Sequence, residues 1–134
     1  MIPPPNGFER HYRNSPLTDP WEPLYSRRVD DSLQIGLRIA EAHTNSRGFA
    51  HGGLVSALAD NAMGLSCGLA LEGAKGLLTV NLALDFLAVA RIGQWLQVEP
   101  SVVKRGRSLC FASALVTADG KPCARASATF QVVS

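Results

Sequence analysis

The chain has 134 residues, of which 46% are hydrophobic and 18% charged, and its formal net charge at pH 7 is +2. This length and composition predict one globular domain with a single core, and the charge is too small to indicate nucleic acid or an anionic membrane as the main partner. No segment reaches the ~18 uninterrupted apolar residues of a membrane span. The polar start of the chain also lacks the apolar centre of a signal peptide, so we expect a cytoplasmic protein.

Six of the eight prolines lie in the first 23 residues, at positions 3, 4, 5, 16, 20 and 23. Proline fixes one backbone dihedral and donates no amide hydrogen bond, so long regular structure is not expected there. The sequence predicts an arm at residues 1–23, with at most a short helical piece, followed by one domain at residues 24–134.

The domain begins with a strand-like segment and continues with a long apolar one. From Ser32, apolar residues alternate with polar or small ones, which is typical of a half-buried strand. From about Gly52 to Leu71 nearly every residue is apolar or small, and Gly73 follows at a position typical of a helix stop. We therefore predict a central helix that is buried around much of its circumference.

Four strand-like segments follow the helix, at about residues 77–87, 94–105, 107–118 and 122–133. Asp119–Gly120 is typical of a hairpin turn, and Pro100 indicates a bulge or an edge position. Short connections favour an antiparallel sheet, with the helix covering one face. The predicted fold is α+β, with about five antiparallel strands wrapped around one helix, an arrangement called the hot-dog fold. Such a sheet keeps an edge and an uncovered face, so we expect at least a homodimer.

Asp60 is the one carboxylate within the predicted helix. Aspartate is a poor helix former, is seldom buried without a partner, and lies too far from the helix start here to act as a cap. At helical spacing it shares a stripe with Ser56, Gly64 and Gly68, which leaves room for a neighbouring backbone or a slender ligand. The carboxylate could form a structural hydrogen bond, face solvent, or act in a cleft as a general base or nucleophile.

The start of the helix is a second candidate for function. Gly52 and Gly53 lie where backbone amides have no partner within the helix and where the helix dipole is positive. Such an end can polarise a carbonyl and hold a developing oxyanion. Asn45 and His51 flank this turn, although each by itself is expected to serve structure, Asn45 as a turn residue and His51 as a cap or core residue.

Other motifs are excluded. The sequence GLSCG resembles a nucleophile elbow around Ser66, but it lies within the helix and every histidine precedes it, contrary to the order that the elbow needs. No phosphate-binding glycine motif occurs. The three histidines are scattered, and Cys67, Cys110 and Cys123 have no metal-type spacing. We expect buried, reduced cysteines, no metal and no cofactor apart from the substrate.

The segment from Asn45 to Asp60 resembles the PaaI-like (phenylacetic acid degradation type) family of hot-dog acyl-CoA thioesterases. The shared pattern is N-x-x-G-x-x-H-G-G-x-x-x-x-L-x-D, formed here by Asn45, Gly48, His51, Gly52, Gly53, Leu58 and Asp60. The strand TVNLALDFL, the GRS turn and the closing ATF are also similar to the family. The resemblance covers about residues 24–133.

The resemblance implies that the protein hydrolyses acyl-CoA to a free acid and CoA. Asp60 would be the catalytic carboxylate, as general base or nucleophile, and the Gly52 amide would receive the thioester oxygen. The other implied site residues are His51 and Asn45 near the sulfur and the carbonyl, substrate-binding Gly53, and Thr79, whose hydroxyl would position water.

In this family the active site lies at a dimer interface, and pairs of dimers form tetramers. Asp60 and Thr79 would come from one subunit, and Asn45, His51 and Gly52 from the other. The helix geometry agrees, because about 12 Å of helix separates Gly52 from Asp60 in one chain, too far for one thioester carbon to meet both easily. We expect a homodimer with sites at the interface, assembled into a tetramer.

Lys104, Arg105 and Arg107 form a basic cluster that fits the phosphates of CoA, although a solvated hairpin turn is the alternative interpretation. Two other functions stay open, a hot-dog enoyl-CoA hydratase or dehydratase and a non-catalytic acyl-CoA binding module. The sequence does not choose between aromatic and aliphatic acyl groups.

Overall fold

A seven-stranded antiparallel sheet wraps around one long helix in the computed structural model, which describes residues 2–71 and 74–133. The helix, α1, spans Gly52–Ala70. The strands are β1 (Glu9–Arg10), β2 (Tyr25–Val29), β3 (Ser32–Arg38), β4 (Gly76–Phe86), β5 (Trp95–Arg105), β6 (Leu109–Ala118) and β7 (Lys121–Val133). The predicted helix stop at Gly73 lies outside the described residues.

The strand order across the sheet is β1-β2-β3-β5-β6-β7-β4. The predicted hot-dog arrangement is confirmed, with β3 to β7 as the five predicted strands and β1 and β2 added at one edge. Strand β2 was not predicted from the sequence, because its residues YSRRV carry two arginines and a serine in place of an apolar alternation. At the opposite edge, β4 follows α1 in the chain and pairs with β7.

The core lies between α1 and the inner face of the sheet. The buried face of the helix includes Leu54, Leu58, Ala62 and Met63. Opposite it, β7 contributes alternate buried residues, Ala124, Ala126, Ala128 and Phe130. Because three of these four side chains are only methyl groups, the helix backbone can approach the sheet closely.

Two sequence signals for strand geometry correspond to features of the structure. Pro100 lies opposite Ala114 of β6, beyond the end of the β3–β5 pairing at Val98, so β5 has no β3 partner at that point. Proline is tolerated in such an edge-like position. Asp119 and Gly120 both adopt positive φ angles, 49° and 82°, as a tight hairpin between twisted strands requires.

The arm packs on the sheet. Strand β1 pairs with β2, and a short 3-10 helix spans Asp19–Trp21. His43 fixes that helix to the domain, because its Nδ1 accepts the Ala40 amide at 2.9 Å and its Nε2 donates to the Trp21 carbonyl at 2.8 Å. None of the helices in the described part of the chain is long and apolar enough to cross a membrane.

Candidate active site

Asp60 and Thr79 meet through a hydrogen bond. Asp60 lies half-buried in the middle of α1, and Thr79 lies on the edge strand β4. The Thr79 hydroxyl donates to Asp60 Oδ1 at 2.8 Å. Of the environments considered for Asp60 from the sequence, the structure shows both a hydrogen bond and partial exposure to solvent. Its second carboxylate oxygen, Oδ2, takes no part in this hydrogen bond.

A β-bulge places Thr79 on the face of β4 that looks at the helix. Thr79 is opposite Phe130 and Asn81 is opposite Thr129, so Val80 is an extra residue in β4. Residues opposite each other in an antiparallel pair share a face, and Phe130 is buried against α1. A regular alternation through Leu82 and Leu84 would have put Thr79 on the outer face. The bulge reverses that alternation and brings the hydroxyl to Asp60.

Asp60 and Thr79 line a cavity of about 580 Å³. The cavity lies between the arm on one side and the start of β4 on the other, with α1 and Phe130 beneath it. Helix residues that line it are Asp60, Asn61, Gly64, Leu65, Gly68 and Leu69. This volume is typical of a small-molecule binding site.

At the start of α1, His51 is the N-cap residue. Its Nδ1 accepts the Gly53 amide at 2.7 Å, so the neutral ring carries its proton on Nε2, and the side chain is exposed. Among the described residues, no acceptor takes a hydrogen bond from the Gly52 amide. The exposed ring of Phe86 lies over Gly52, where a Cβ atom would be 3.3 Å from Phe86 Cζ.

The side chain of Asn45 organises the loop that leads to the helix. Its Oδ1 accepts the amides of Arg47 at 2.9 Å and Phe49 at 3.2 Å. The structural roles considered for Asn45 and His51, turn and cap, are therefore both observed. Neither role uses His51 Nε2–H or the Asn45 Nδ2 group, so both donors stay free for a ligand within the described structure.

Asn45 and Gly52 line a second, smaller cavity of about 310 Å³, which has a mostly apolar wall. Its other residues include Phe49, Val55, Phe86, Val89 and Cys123. The two cavities share no lining residue. One chain therefore presents the Asp60–Thr79 pair and the Gly52 amide in two separate places, about 12 Å apart along the helix.

The basic cluster lies apart from both cavities. Lys104 and Arg105 end β5, Arg107 lies in the following turn, and all three are exposed. Arg105 Nη1 contacts the carbonyl of Ala70 at the C-terminal end of α1, at 3.4 Å. That point is about 15 Å along the helix from Asp60.

Ser66 and the three cysteines, which the sequence excluded as nucleophile and metal ligands, have structural roles. Ser66 is fully buried, accepts the Leu33 amide and donates to the Ala62 carbonyl, so it joins α1 to β3 and is no nucleophile. Cys67, Cys110 and Cys123 are buried free thiols. Burial raises the pKa of Cys67 and of Cys123, which keeps both thiols protonated and unreactive.

Several residues near the candidate site were not predicted from the sequence. His11, Tyr12, Arg13 and Ser15 of the arm line the large cavity, and Phe86 covers Gly52. No local pattern marks these residues, because the contacts depend on how the arm and β4 approach α1 from opposite edges of the sheet.

Comparison with known proteins identifies the family. A sequence model of the thioesterase superfamily matches residues 47–124, which include all of α1, β4, β5 and β6. The chain belongs to the thioesterase superfamily. It is a thioester hydrolase with the hot-dog fold.

Two curated relatives agree with this family. The thioesterase is 41% identical over 133 residues to a Pseudomonas aeruginosa protein named a putative esterase, covering 98% of this chain and 99% of the relative. It is 31% identical over 87 residues to mouse acyl-coenzyme A thioesterase 13, covering 65% of this chain and 61% of the relative.

Solved structures of similar fold also include thioesterases. A Ralstonia eutropha protein named a putative thioesterase related to phenylacetic acid degradation superposes with a TM-score of 0.78 at 29% identity, covering 90% of this chain and 92% of that one. Zebrafish thioesterase superfamily member 2 superposes with a TM-score of 0.75 at 26% identity, covering 81% and 80%. The resemblance to PaaI-like thioesterases is thus confirmed.

Proposed function

We propose that this thioesterase hydrolyses acyl-CoA to a free acid and CoA, with Asp60 as the catalytic carboxylate and the Gly52 amide as the oxyanion donor. The observation that carries the proposal is the hydrogen bond from Thr79 to Asp60 inside a cavity of ligand size. The relative named acyl-coenzyme A thioesterase supports CoA as the leaving group.

The geometry around Asp60 suits attack on a thioester carbon. Thr79 fixes Oδ1, so Oδ2 can accept a proton from water, whose oxygen then attacks the carbonyl carbon. Alternatively, Oδ2 attacks the carbon itself, and water hydrolyses the resulting anhydride. In both routes the C–S bond breaks, and the thiolate of CoA leaves and takes up a proton.

The Gly52 amide is the hydrogen-bond donor of the proposed site, a role that a carboxylate cannot take. Negative charge develops on the thioester oxygen during attack, and an unpaired amide at a helix N-terminus stabilises that charge. His51 Nε2–H and Asn45 Nδ2 lie at the same helix start and are further donors for the carbonyl or the sulfur. Gly53, capped by His51, keeps the turn compact, because a side chain there would collide with the imidazole ring at 2.9 Å.

We propose that each site forms between two copies of the chain. The Gly52 amide and the Asp60 carboxylate open into different cavities of one chain, which supports an arrangement in which the helix start of a second copy faces Asp60. The edge strand β4 supports this arrangement, since its apolar residues Leu78, Val80 and Phe86 are 57–58% exposed. Apolar edges of this kind favour association with another chain. A tetramer built from two such dimers is part of the same proposal.

The basic cluster is proposed to bind the phosphates of CoA. Lys104, Arg105 and Arg107 are exposed on one hairpin, and the CoA tail is long enough to reach beyond the cavity that holds the thioester. Their distance from Asp60 fits a contact with the nucleotide end and excludes a role in the chemical step.

Asp60→Asn tests the proposal directly. The amide oxygen of asparagine can still accept the Thr79 hydrogen bond, but it can neither take a proton from water nor attack a thioester. We expect kcat for acyl-CoA hydrolysis to fall by about 10²–10⁴-fold, measured by release of free thiol. Asp85→Asn is the matched control, because Asp85 is an exposed carboxylate on β4 that pairs with Arg125 outside both cavities.

Normal turnover by Asp60→Asn would contradict the role of Asp60. Addition of water to an enoyl-CoA without thiol release would favour a hydratase instead. Saturable acyl-CoA binding without any turnover would favour a binding module.

A further inference from the structure

We propose that the N-terminal arm forms one wall of the acyl pocket and that this pocket selects apolar acyl groups of medium length. The inference rests on the proposed function and adds the substrate class. The carrying observation is that His11, Tyr12, Arg13 and Ser15 line the cavity beside Asp60, while strand β1 of the arm and β4 lie at opposite edges of the sheet.

The arm is held firmly enough to act as a wall. Strand β1 pairs with β2, and the His11 amide donates to the Leu24 carbonyl at 2.8 Å. Further along, His43 Nε2 of the domain donates to the Trp21 carbonyl at 2.8 Å. These contacts lie on both sides of residues 12–14, so this segment keeps its position over the cavity.

His11 contributes an uncharged group to this wall, beside the charged Arg13. The ring is 92% buried, and its Nδ1 has no hydrogen-bond partner within the described structure. Burial lowers the pKa of His11 more than the nearby Glu22 carboxylate raises it, so the ring is neutral at pH 7. Next to it, the Tyr12 ring packs at a centroid distance of 4.9 Å with the two ring planes tilted by 53°, and Tyr12 is 64% exposed.

Four apolar side chains line the floor and the opposite wall, where Asn61, Lys75 and Thr79 add polar groups. Leu65, Leu69, Leu77 and Phe130 line the cavity along the face of α1 that carries Gly64 and Gly68. Because the two glycines have no side chains, the space beside Asp60 continues along the helix as far as Gly68. That distance is about 12 Å, which an extended chain of about ten carbons spans. Acyl groups of about six to ten carbons therefore fit beside the helix, while longer ones extend past Gly68.

Gly68 allows the length of the pocket to be changed. A Cβ atom at Gly68 would have only the Leu77 Cδ1 atom nearby, at 4.0 Å, so the first atom of a side chain fits there without collision and the rest extends into the pocket. Gly64 is less suitable, since its Cβ would lie 3.2 Å from the Phe130 ring. Leucine is also a better helix former than glycine, so Gly68→Leu does not threaten α1.

The test compares kcat/KM for acetyl-, butyryl-, hexanoyl-, octanoyl-, decanoyl- and palmitoyl-CoA. The wild-type protein is expected to prefer six to ten carbons. In Gly68→Leu, kcat/KM for decanoyl-CoA should fall about tenfold relative to kcat/KM for butyryl-CoA. The same ratio should change much less in Gly68→Ala. Tyr12→Ala removes part of the arm wall and should raise KM for octanoyl-CoA by a larger factor than KM for acetyl-CoA. Leu17→Ala is the control for the arm, because Leu17 is exposed and lies outside the cavity.

The outcomes separate the two proposals. Hydrolysis with a chain-length profile that neither Gly68→Leu nor Tyr12→Ala changes would overturn the acyl pocket and leave the thioesterase assignment intact. If Gly68→Leu and Tyr12→Ala lower kcat/KM equally for every chain length, the cavity holds the pantetheine arm of CoA and the inference is also overturned. Failure to hydrolyse any of these acyl-CoAs would reject the proposed function, and the inference with it.

Discussion

At the scale of single residues, Thr79 shows how a small irregularity positions a reactive group. The alternation of Leu82, Leu84 and Phe86 predicts an outward-facing threonine, and only the resemblance to known thioesterases placed Thr79 in the site. The extra residue Val80 reverses the alternation, so the hydroxyl reaches Asp60 at 2.8 Å. The hydrogen bond fixes one carboxylate oxygen, Oδ1, and does not involve the other.

Replacing Thr79 by valine keeps the shape of the side chain and removes the hydroxyl. A hydrogen bond to a charged group contributes about 1.5–3 kcal/mol, so we expect kcat to fall by about 10–100-fold with a smaller change in KM. Steady-state kinetics of thiol release measure this effect. Thr79→Ser should retain most of the wild-type kcat, because it keeps the hydroxyl. Full activity in Thr79→Val would mean that the contact has no catalytic role.

At the scale of elements, the start of α1 has both a capped turn and an amide without a partner. His51 caps the helix through the Gly53 amide, which leaves the preceding amide, that of Gly52, unpaired within the described structure. The same turn that stabilises the helix thus keeps one polarised donor available. The capping interpretation of His51 and the functional one are compatible, because they use different nitrogen atoms of the ring.

Gly52→Pro removes this donor and keeps the helix start. Gly52 is the first residue of α1, where proline is well tolerated because its missing amide has no partner within the helix. We expect kcat to fall by about 10²–10³-fold, the usual effect of losing one oxyanion donor. Gly52→Ala is the matched control, since it keeps the amide and introduces a similar contact with Phe86. If the two variants show the same kcat, the Gly52 amide is not the oxyanion donor.

At the scale of the whole molecule, the wrapping of the sheet creates and separates the two parts of the candidate site. The arm and β4 lie at opposite edges of the sheet, and they approach one another over α1 around the cavity of Asp60. In the proposed dimer, the exposed apolar residues of β4 contact a second copy of the chain. A site that needs both Gly52 and Asp60 is then complete only between subunits.

Mixing two inactive variants tests the shared site. In a heterodimer of Asp60→Asn and Gly52→Pro chains, one of the two sites contains both a native carboxylate and a native amide. Random association makes half of the dimers mixed, so co-expression should restore about a quarter of the wild-type activity. Each variant expressed alone provides the baseline. No recovery in mixtures shown to contain heterodimers would place both groups of the active site in one chain.

The sequence by itself determined the fold class, the central helix, five of the strands and the residues of the Asn45–Asp60 pattern. These features depend on local periodicity and spacing, which a chain expresses without its partners. The tertiary structure decided what local pattern cannot express: strand β2, the bulge that orients Thr79, and the approach of the arm to the cavity. Each arises from packing between distant segments, because hydrogen bonding and burial at the edges of the sheet depend on which segment lies beside them.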